Sequence, residues 1–491
     1  MNKICFKILL LLIFFQTSCD YEIVPDLTAP DSTSNGFSIS EGPYYENCTA
    51  IEFTNTINDA TSFEWDFGDG FTSTVENPAH TFNDAGTYTV KLKVRADGQQ
   101  FEQSLEIVVS APITFAKTDY QDRYYRDIAV TNDGDYIAVG VIKAFSEKNA
   151  GAFLQKFTNN GELVWDRTIN QNGLSEKTIS MALTSDWVYV VGGTGSRISV
   201  VKTDLAGNIK WREYLPFVDH NPGPIGPIDT LNDNSLYTAN DVTVTVDKGI
   251  VIAGTRTNVD SPPDIYIVKL DKNGRQSWDQ TIEKSDFEVA YSIIQIEDGS
   301  FVIAGEKIRD IQGPLGAQGT GRYVLNLDSL GTTIWEHYEE FQGQDKVFSF
   351  SIIADINQDY IIVGESDGIG NGASQREFRS LVTKLNINGD YVWSRNLGTE
   401  YQLTSDVVFN TTNAIVEIPS EGFVAIGTRD GMSINKLNYN GDLIWKEPFS
   451  DVNGYSIALT PDCGLVVVGK ASVSGETSTY FLKTDRGGKV N

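Results

Sequence analysis

One pattern of residues recurs along this chain and constrains its fold more than any other feature. It is clearest from Tyr266 to Ile282, YIVKLDKNGRQSWDQTI, which reads as a strand, a tight turn at Asn273-Gly274, and a second strand carrying Trp278. Asp204 and Gly207 lead in the same way to Trp211, Asp328 and Gly331 to Trp335, Asn386 and Gly389 to Trp393, and Asn438 and Gly441 to Trp445. Gly161 leads to Trp165 with Thr158 in the Asp place, and a last copy starts at Asp485 and Gly488 but reaches Asn491 before any Trp. Upstream of each copy lies a turn and an apolar run closed by glycine. Asp298-Gly299 precedes FVIAG, Gln358-Asp359 precedes YIIVG, Glu421-Gly422 precedes FVAIG, and Asp462-Cys463-Gly464 precedes LVVVG. Asn132-Asp133-Gly134, Ser185-Asp186 and Lys248-Gly249 open the remaining three, which makes seven units.

Each unit reads as strand, turn, apolar strand, variable loop, alternating strand, Asn-Gly turn, Trp strand. Asp-Gly and Asn-Gly between apolar runs are strong hairpin signals, and the expected turn is type I′, with positive φ at both central residues. Four short antiparallel strands per unit, with no helical period after the N-terminus, predict a β-propeller of seven blades over residues 112–491. Continuous apolar runs such as Tyr360 to Val363 suit strands packed on both faces. The Trp rings are expected between blades. An orphan strand, Ile113 to Thr118, carries Phe115 in the Trp place, and Phe115 to Asp119 is read as completing the last blade, so that no sheet edge stays open.

Met1 to Ser18 has a basic start (Lys3, Lys7) and a short apolar run from Ile8 to Phe15, as in a secretory signal. Gln16-Thr17-Ser18-Cys19 resembles a bacterial lipobox, which implies a lipid on Cys19 and an outer-membrane lipoprotein of the cell envelope. Gln16 departs from the usual Leu. The acids Asp20, Glu22 and Asp26 are similar to surface-export signals of Bacteroidota lipoproteins, which implies a surface-exposed anchor. Residues 19–36, rich in Pro, Ser, Thr and Asp, read as a flexible tether.

Residues 37–110 read as a separate small β domain. Trp65-Asp66-Phe67-Gly68-Asp69-Gly70, then Asn77-Pro78-Ala79-His80-Thr81-Phe82, then Gly86-Thr87-Tyr88-Thr89-Val90 resemble the PKD domain, with its three blocks in order. The resemblance implies an immunoglobulin-like sandwich that acts as a spacer or adhesive module. Asp66 and Asp69 are calcium candidates, set against the plainer role of satisfying the backbone of their turn.

The chain has 38 basic and 66 acidic residues, a net charge of −28. That balance speaks against nucleic acid, whose phosphates need a positive footprint. Calcium is left open, although no loop has EF-hand spacing. Beyond Cys5 and Cys19 only Cys48 and Cys463 remain, and they read as two buried free thiols unless the two domains bring them together.

Function is expected where loop lengths break the repeat. The tight turns fall on one face of the ring and the long connections on the other. The longest form a crown over blades 3 to 5: Pro216 to Thr238 with Asp219 and His220, Thr255 to Asp264, Glu306 to Arg322 with Arg309 and Asp310, and Glu365 to Arg379 with Arg376. Forked guanidiniums in an acidic protein suit carboxylates and sugar hydroxyls. Asp127 and Asp241, with Ser292, Ser351 and Ser456 in the same place, fall near the channel mouth, where capping explains them as well as ligand contact. None of the three His residues has metal-ligand spacing, and no nucleophile elbow or phosphate loop is present. The Asp-x-x-Gly-x-x-x-Trp turn is similar to the repeat of quinoprotein-like propellers and to the Asp-box of sialidases, but no quinone site or arginine triad accompanies it. The expectation is a non-catalytic, lipid-anchored binding protein for glycan or a surface protein, without a cofactor. The rivals are a polysaccharide-active enzyme with acids in the crown, and an envelope-assembly scaffold.

Overall fold

The structure, a computed structural model, describes residues 36–490 except 49, 120–121, 143–150, 171–178, 194–196, 217–234, 259–260, 283–286, 311–317, 341–345, 370–375, 403–410, 429–430 and 474–475. All of its described regular elements are β-strands. They fall into two compact units, Met1–Ala111 and Pro112–Asn491.

The first unit is a sandwich of a three-stranded and a five-stranded sheet. Alternation drives it: in Ile51–Asn55 the first and third side chains are buried and the second and fourth exposed. Trp65 is fully buried between the sheets, 5.0 Å from the Phe37 ring and 5.5 Å from Phe53. Its one polar atom, Nε1, donates to the Val75 carbonyl at 3.0 Å, so burial leaves nothing unsatisfied.

The second unit is a ring of seven four-stranded antiparallel sheets. Six are built from consecutive strands. The seventh joins Val452–Leu459, Leu465–Val473 and Glu476–Thr484 to Phe115–Asp119, from the other end of the unit. The innermost strands pack on one another in cyclic order, that of blade 1 against that of blade 7. Second strands such as Tyr360 to Val363 are inaccessible on both faces.

The outer rim explains the repeat. In register, Lys156 faces Trp165, Lys202 faces Trp211, Lys269 faces Trp278, Lys384 faces Trp393 and Lys436 faces Trp445. Lys483 faces Phe115 in the same position. Each ring then meets the turn glycine of the following blade. A Cβ on Gly389 would lie 2.7 Å from two carbons of Trp335, and one on Gly161 would lie 2.4 Å from Phe115. These turns differ from the type I′ expectation. Only the glycine has positive φ, +85° at Gly274, while Gly274 N donates to Asp271 O at 3.0 Å. That is a type I turn followed by a left-handed residue, and the strand register shifts beside it, between Lys269 and Leu270. The Asp side chain caps the turn: Asp271 Oδ1 accepts from Asn273 N at 2.8 Å and Arg275 N at 2.9 Å.

Two further expectations need correction. The presumed long loops of blades 4 and 5 are mostly strand. Phe301–Asp310 pairs with Gln318–Leu327, and Tyr360–Ile369 with Arg376–Leu385. Cys48 and Cys463 are not free thiols; each is disulfide-bonded. Sequence separation says nothing about which sulfurs approach within bonding distance.

Candidate functional site

Six of the seven inner strands share one irregularity, which that of blade 2 lacks. Their pairing register slips between Tyr125 and Asp127 in blade 1, Ala239 and Asp241 in blade 3, and Ala290 and Ser292 in blade 4. It slips again between Ser349 and Ser351, Thr412 and Ala414, and Gly454 and Ser456, in blades 5 to 7. A bulge leaves one residue out of the ladder and re-aims its side chain. The skipped residues are Arg126, Asn240, Tyr291, Phe350, Asn413 and Tyr455. All six line an axial cavity of about 280 Å³.

Four of the residues that follow a bulge, Asp127, Asp241, Ser292 and Ser456, join Ser180 of blade 2 in a belt along part of the channel. Asp127 Oδ1 accepts from Ile128 N at 2.8 Å and Ser456 Oγ at 2.7 Å, and Oδ2 from Met181 N at 2.9 Å and Ser180 Oγ at 3.4 Å. Asp241 repeats the arrangement. Its Oδ1 accepts from Val242 N and Ser180 Oγ, both at 2.8 Å, and its Oδ2 from Ser292 Oγ at 2.8 Å and Ile293 N at 2.9 Å. Two carboxylates thus tie blades 7, 1, 2, 3 and 4. Burial raises the Asp127 carboxyl to about 6, against the lowering effect of the Ser456 and Met181 hydrogen bonds. Burial likewise raises Asp241. The single Ser180 proton goes to the nearer Asp241, so four donors surround Asp241 and three surround Asp127; these groups hold the ring together and leave little for a ligand.

The bulge residues differ. Arg126 makes no hydrogen bond or ion pair among the described residues, and its Nε is buried without a partner. Its guanidinium carbon lies 5.1 Å from the Tyr124 ring centre and 5.0 Å from that of Tyr455, two rings 6.2 Å apart. In a seven-membered ring, blades 4 and 5 stand opposite blade 1. There Tyr291 and Phe350 form a tilted pair at 5.9 Å. The Tyr291 hydroxyl donates to Glu306 Oε2 at 3.1 Å, and burial with the Glu306 charge pushes that phenol well above its ordinary range. Only its ring is offered to the cavity. Asn413 Nδ2 donates to Gly454 O at 2.6 Å, and Asn240 Nδ2 donates to Ala290 O.

The crown residues do not assemble as expected. Arg322 is wholly buried, with Nη1 at 3.0 Å from Glu339 Oε2 and donating also to Thr383 Oγ1 of the neighbouring blade. Burial lowers its pKa, opposed by the Glu339 charge. Asp264 is also buried, in register with Arg256. Both sit in strand interiors rather than in loops, which removes them from any ligand face. Arg309 and Asp310 end one strand of the blade 4 hairpin, and Arg376 and Arg379 lie on a strand of the blade 5 hairpin, with only their backbones described. Asp219, His220 and Cys19 lie outside the described residues. In the first unit, Asp66 Oδ1 accepts from Gly68 N at 3.0 Å and Asp69 Oδ1 from Phe71 N at 3.1 Å. Asp69 Oδ2 is 2.6 Å from His80 Nε2, and His80 stacks on Phe67 at 4.1 Å. Turn formation accounts for both acids. The described residues include no cluster of three His, Cys, Asp or Glu side chains placed to hold a metal.

Loop length does not mark the cavity residues, because they lie within strands. Their signal was the position before the recurring Asp or Ser: Arg126-Asp127, Asn240-Asp241, Tyr291-Ser292, Phe350-Ser351, Tyr455-Ser456.

Comparison with known proteins adds to the first unit. Residues 45–109 match the PKD domain. A collagenase, ColA of Bacillus cereus, is 43% identical over 49 residues, which is 10% of this chain and 5% of the collagenase. This chain therefore spans a small fraction of that relative. Among solved structures, the Dos1 propeller is 12% identical, covers 92% of this chain and 93% of its own, and has a TM-score of 0.40. A protein of unknown function from Bacteroides caccae is 12% identical over 60% of this chain and 90% of its own, at a TM-score of 0.34. The ring itself rests on the strand pairing described above.

Proposed function

We propose that this chain is a non-catalytic binding protein, lipid-anchored in a cell envelope, that recognises carbohydrate in the axial cavity of its ring. The signal-like Met1 to Ser18 and the lipobox-like segment ending at Cys19 support the anchor. One observation carries the binding reading. Six inner strands place aromatic rings, amides and a guanidinium around one cavity, while its carboxylates are already satisfied within the fold. Ring faces that cover sugar C–H surfaces, with a few polar groups to fix orientation, are what a carbohydrate site requires. At about 280 Å³ the cavity is near the lower end of ligand sites and suits a single sugar unit or a chain end.

A second reading has one observation behind it. Asp127 and Asp241 flank the Ser180 hydroxyl, and a carboxyl raised to about 6 is in the range of a general acid. Against it, the two backbone N–H groups and the serines hold every carboxylate oxygen, so neither acid is directed at a substrate. Affinity electrophoresis of the soluble chain 20–491 in a panel of polysaccharides tests binding. Retardation that disappears in Tyr291→Ala/Phe350→Ala supports the reading, and no retardation in any glycan overturns it in favour of a protein partner. Release of reducing ends from a retarding glycan would convert the protein to an enzyme.

A further inference from the structure

Resting on that reading, we infer that the carbohydrate is acidic and that Arg126 receives a sugar carboxylate in the axial cavity. Two other arginines of the ring have acceptors: Arg123 Nη1 lies 2.6 Å from Asp166 Oδ2, and Arg322 Nη1 lies 3.0 Å from Glu339 Oε2. Arg126 has none among the described residues, although Asp127 follows it directly in the chain and Nε is out of contact with water. The bulge separates the two. Asp127 turns into the belt and takes its donors there, while Arg126 lines the cavity with its own donors unused by the fold. Nε is shut away from water without an acceptor, but Nη1 and Nη2 are not, and they are the donors that an arriving anion would meet.

The geometry also limits what the anion can be. Tyr124 and Tyr455 both underlie the guanidinium, at 5.1 and 5.0 Å, and hold it as a planar fork rather than a swinging charge. A fork of N–H donors matches the two oxygens of a carboxylate. Asp127 and Asp241 keep negative charge in the same wall, which favours a singly charged group over a doubly charged phosphate. The opposite wall is apolar and aromatic, at Tyr291 and Phe350, and takes the face of the ring that bears the carboxylate. The net charge of −28 repels an anion from afar, but at physiological ionic strength that field is screened beyond about 8 Å. Selection therefore happens inside the cavity.

Titration calorimetry with trigalacturonate and with its fully methyl-esterified form decides the matter, because esterification removes each charge and adds only a methyl group. The expected result is binding of the acid at least tenfold tighter than the ester. Arg126→Gln should abolish that preference, and Arg126→Lys should retain part of it. Circular dichroism should be unchanged in both variants, because Arg126 makes no hydrogen bond or ion pair among the described residues. Equal affinity for acid and ester overturns the carboxylate assignment and leaves carbohydrate binding standing. Tighter binding of a sulfated galactan than of the uronate also overturns it. Binding of none of these, nor of any glycan in the wider panel, overturns both this inference and the reading beneath it.

Discussion

The outer rim and the channel wall of the ring are built by the same seven repeats, yet they treat sequence in opposite ways. On the rim the residue types recur. A Trp, or Phe115 in its stead, meets the left-handed glycine of the following turn, and in six of the seven positions a Lys sits in register with that ring. On the wall the backbone repeats its bulge but the side chain changes, from Arg126 to Asn240, Tyr291, Phe350, Asn413 and Tyr455. A position that needs one shape for packing admits one residue type. A position whose geometry is fixed by the strand, but whose side chain faces open space, is free to vary. In a repeat protein the second kind is where a ligand is read. The belt between them makes the contrast sharper, since Asn240 and Asp241 are neighbours in the chain, one facing the cavity and the other tying three blades.

Four measurements would break or sharpen this contrast. Replacing Asp241 by Ala leaves two serine hydroxyls and two backbone N–H groups without their acceptor. The expected loss is about 4 kcal/mol in chemical denaturation, and a loss below about 1 would mean that water replaces the belt. Gly389→Ala forces a side chain into positive φ and against Trp335, with an expected cost of about 3 kcal/mol. A neutral result there would make the rim turns as tolerant as the wall.

The third concerns pH. Because the Asp127 carboxyl is raised to about 6 from 3.8, the folded state holds its proton more tightly than the unfolded chain does. The stability this supplies is fully present below about pH 3.8 and is lost as pH rises through 6. Relative to Asp127→Asn, the wild-type chain should gain about 2 kcal/mol between pH 7 and pH 4.5, read from paired thermal melts. A constant difference would show that the belt is not buried in solution. The smallest effect is Arg126→Gln, which breaks no hydrogen bond and loses only the stacking of the guanidinium on Tyr124 and Tyr455, so it should cost no more than about 1 kcal/mol. A larger loss would move Arg126 from the ligand to the fold.

Much of the fold could be read in advance from particular residues. The spacing of Asp271, Gly274 and Trp278, repeated along the chain, implied blades, because a hairpin, its cap and its inter-blade filler are local to one stretch. Trp65 and the Gly68-Asp69-Gly70 turn implied the sandwich for the same reason. The turn type was misjudged because Asn273-Gly274 suits two hairpin geometries, and only the backbone decides between them. The site was misplaced for a different reason. Long segments such as Glu306 to Arg322 were read as loops, but extending a hairpin adds strand residues without changing their composition. Arg322 and Asp264 carried the expected chemistry, yet burial inside the blades removed it from use.

The sequence by itself determined the repeat, the seven sheets and the residues that pack between them, since these depend on periodicity and on contacts set by neighbouring segments. Tertiary structure alone decided that Arg126 lacks a hydrogen-bond acceptor while Asp127 is held by donors from three blades, and that Tyr291 and Phe350 of blades 4 and 5 face a guanidinium of blade 1. The last relation joins residues more than 160 positions apart, and it exists only because closing the ring brings every inner strand to one axis.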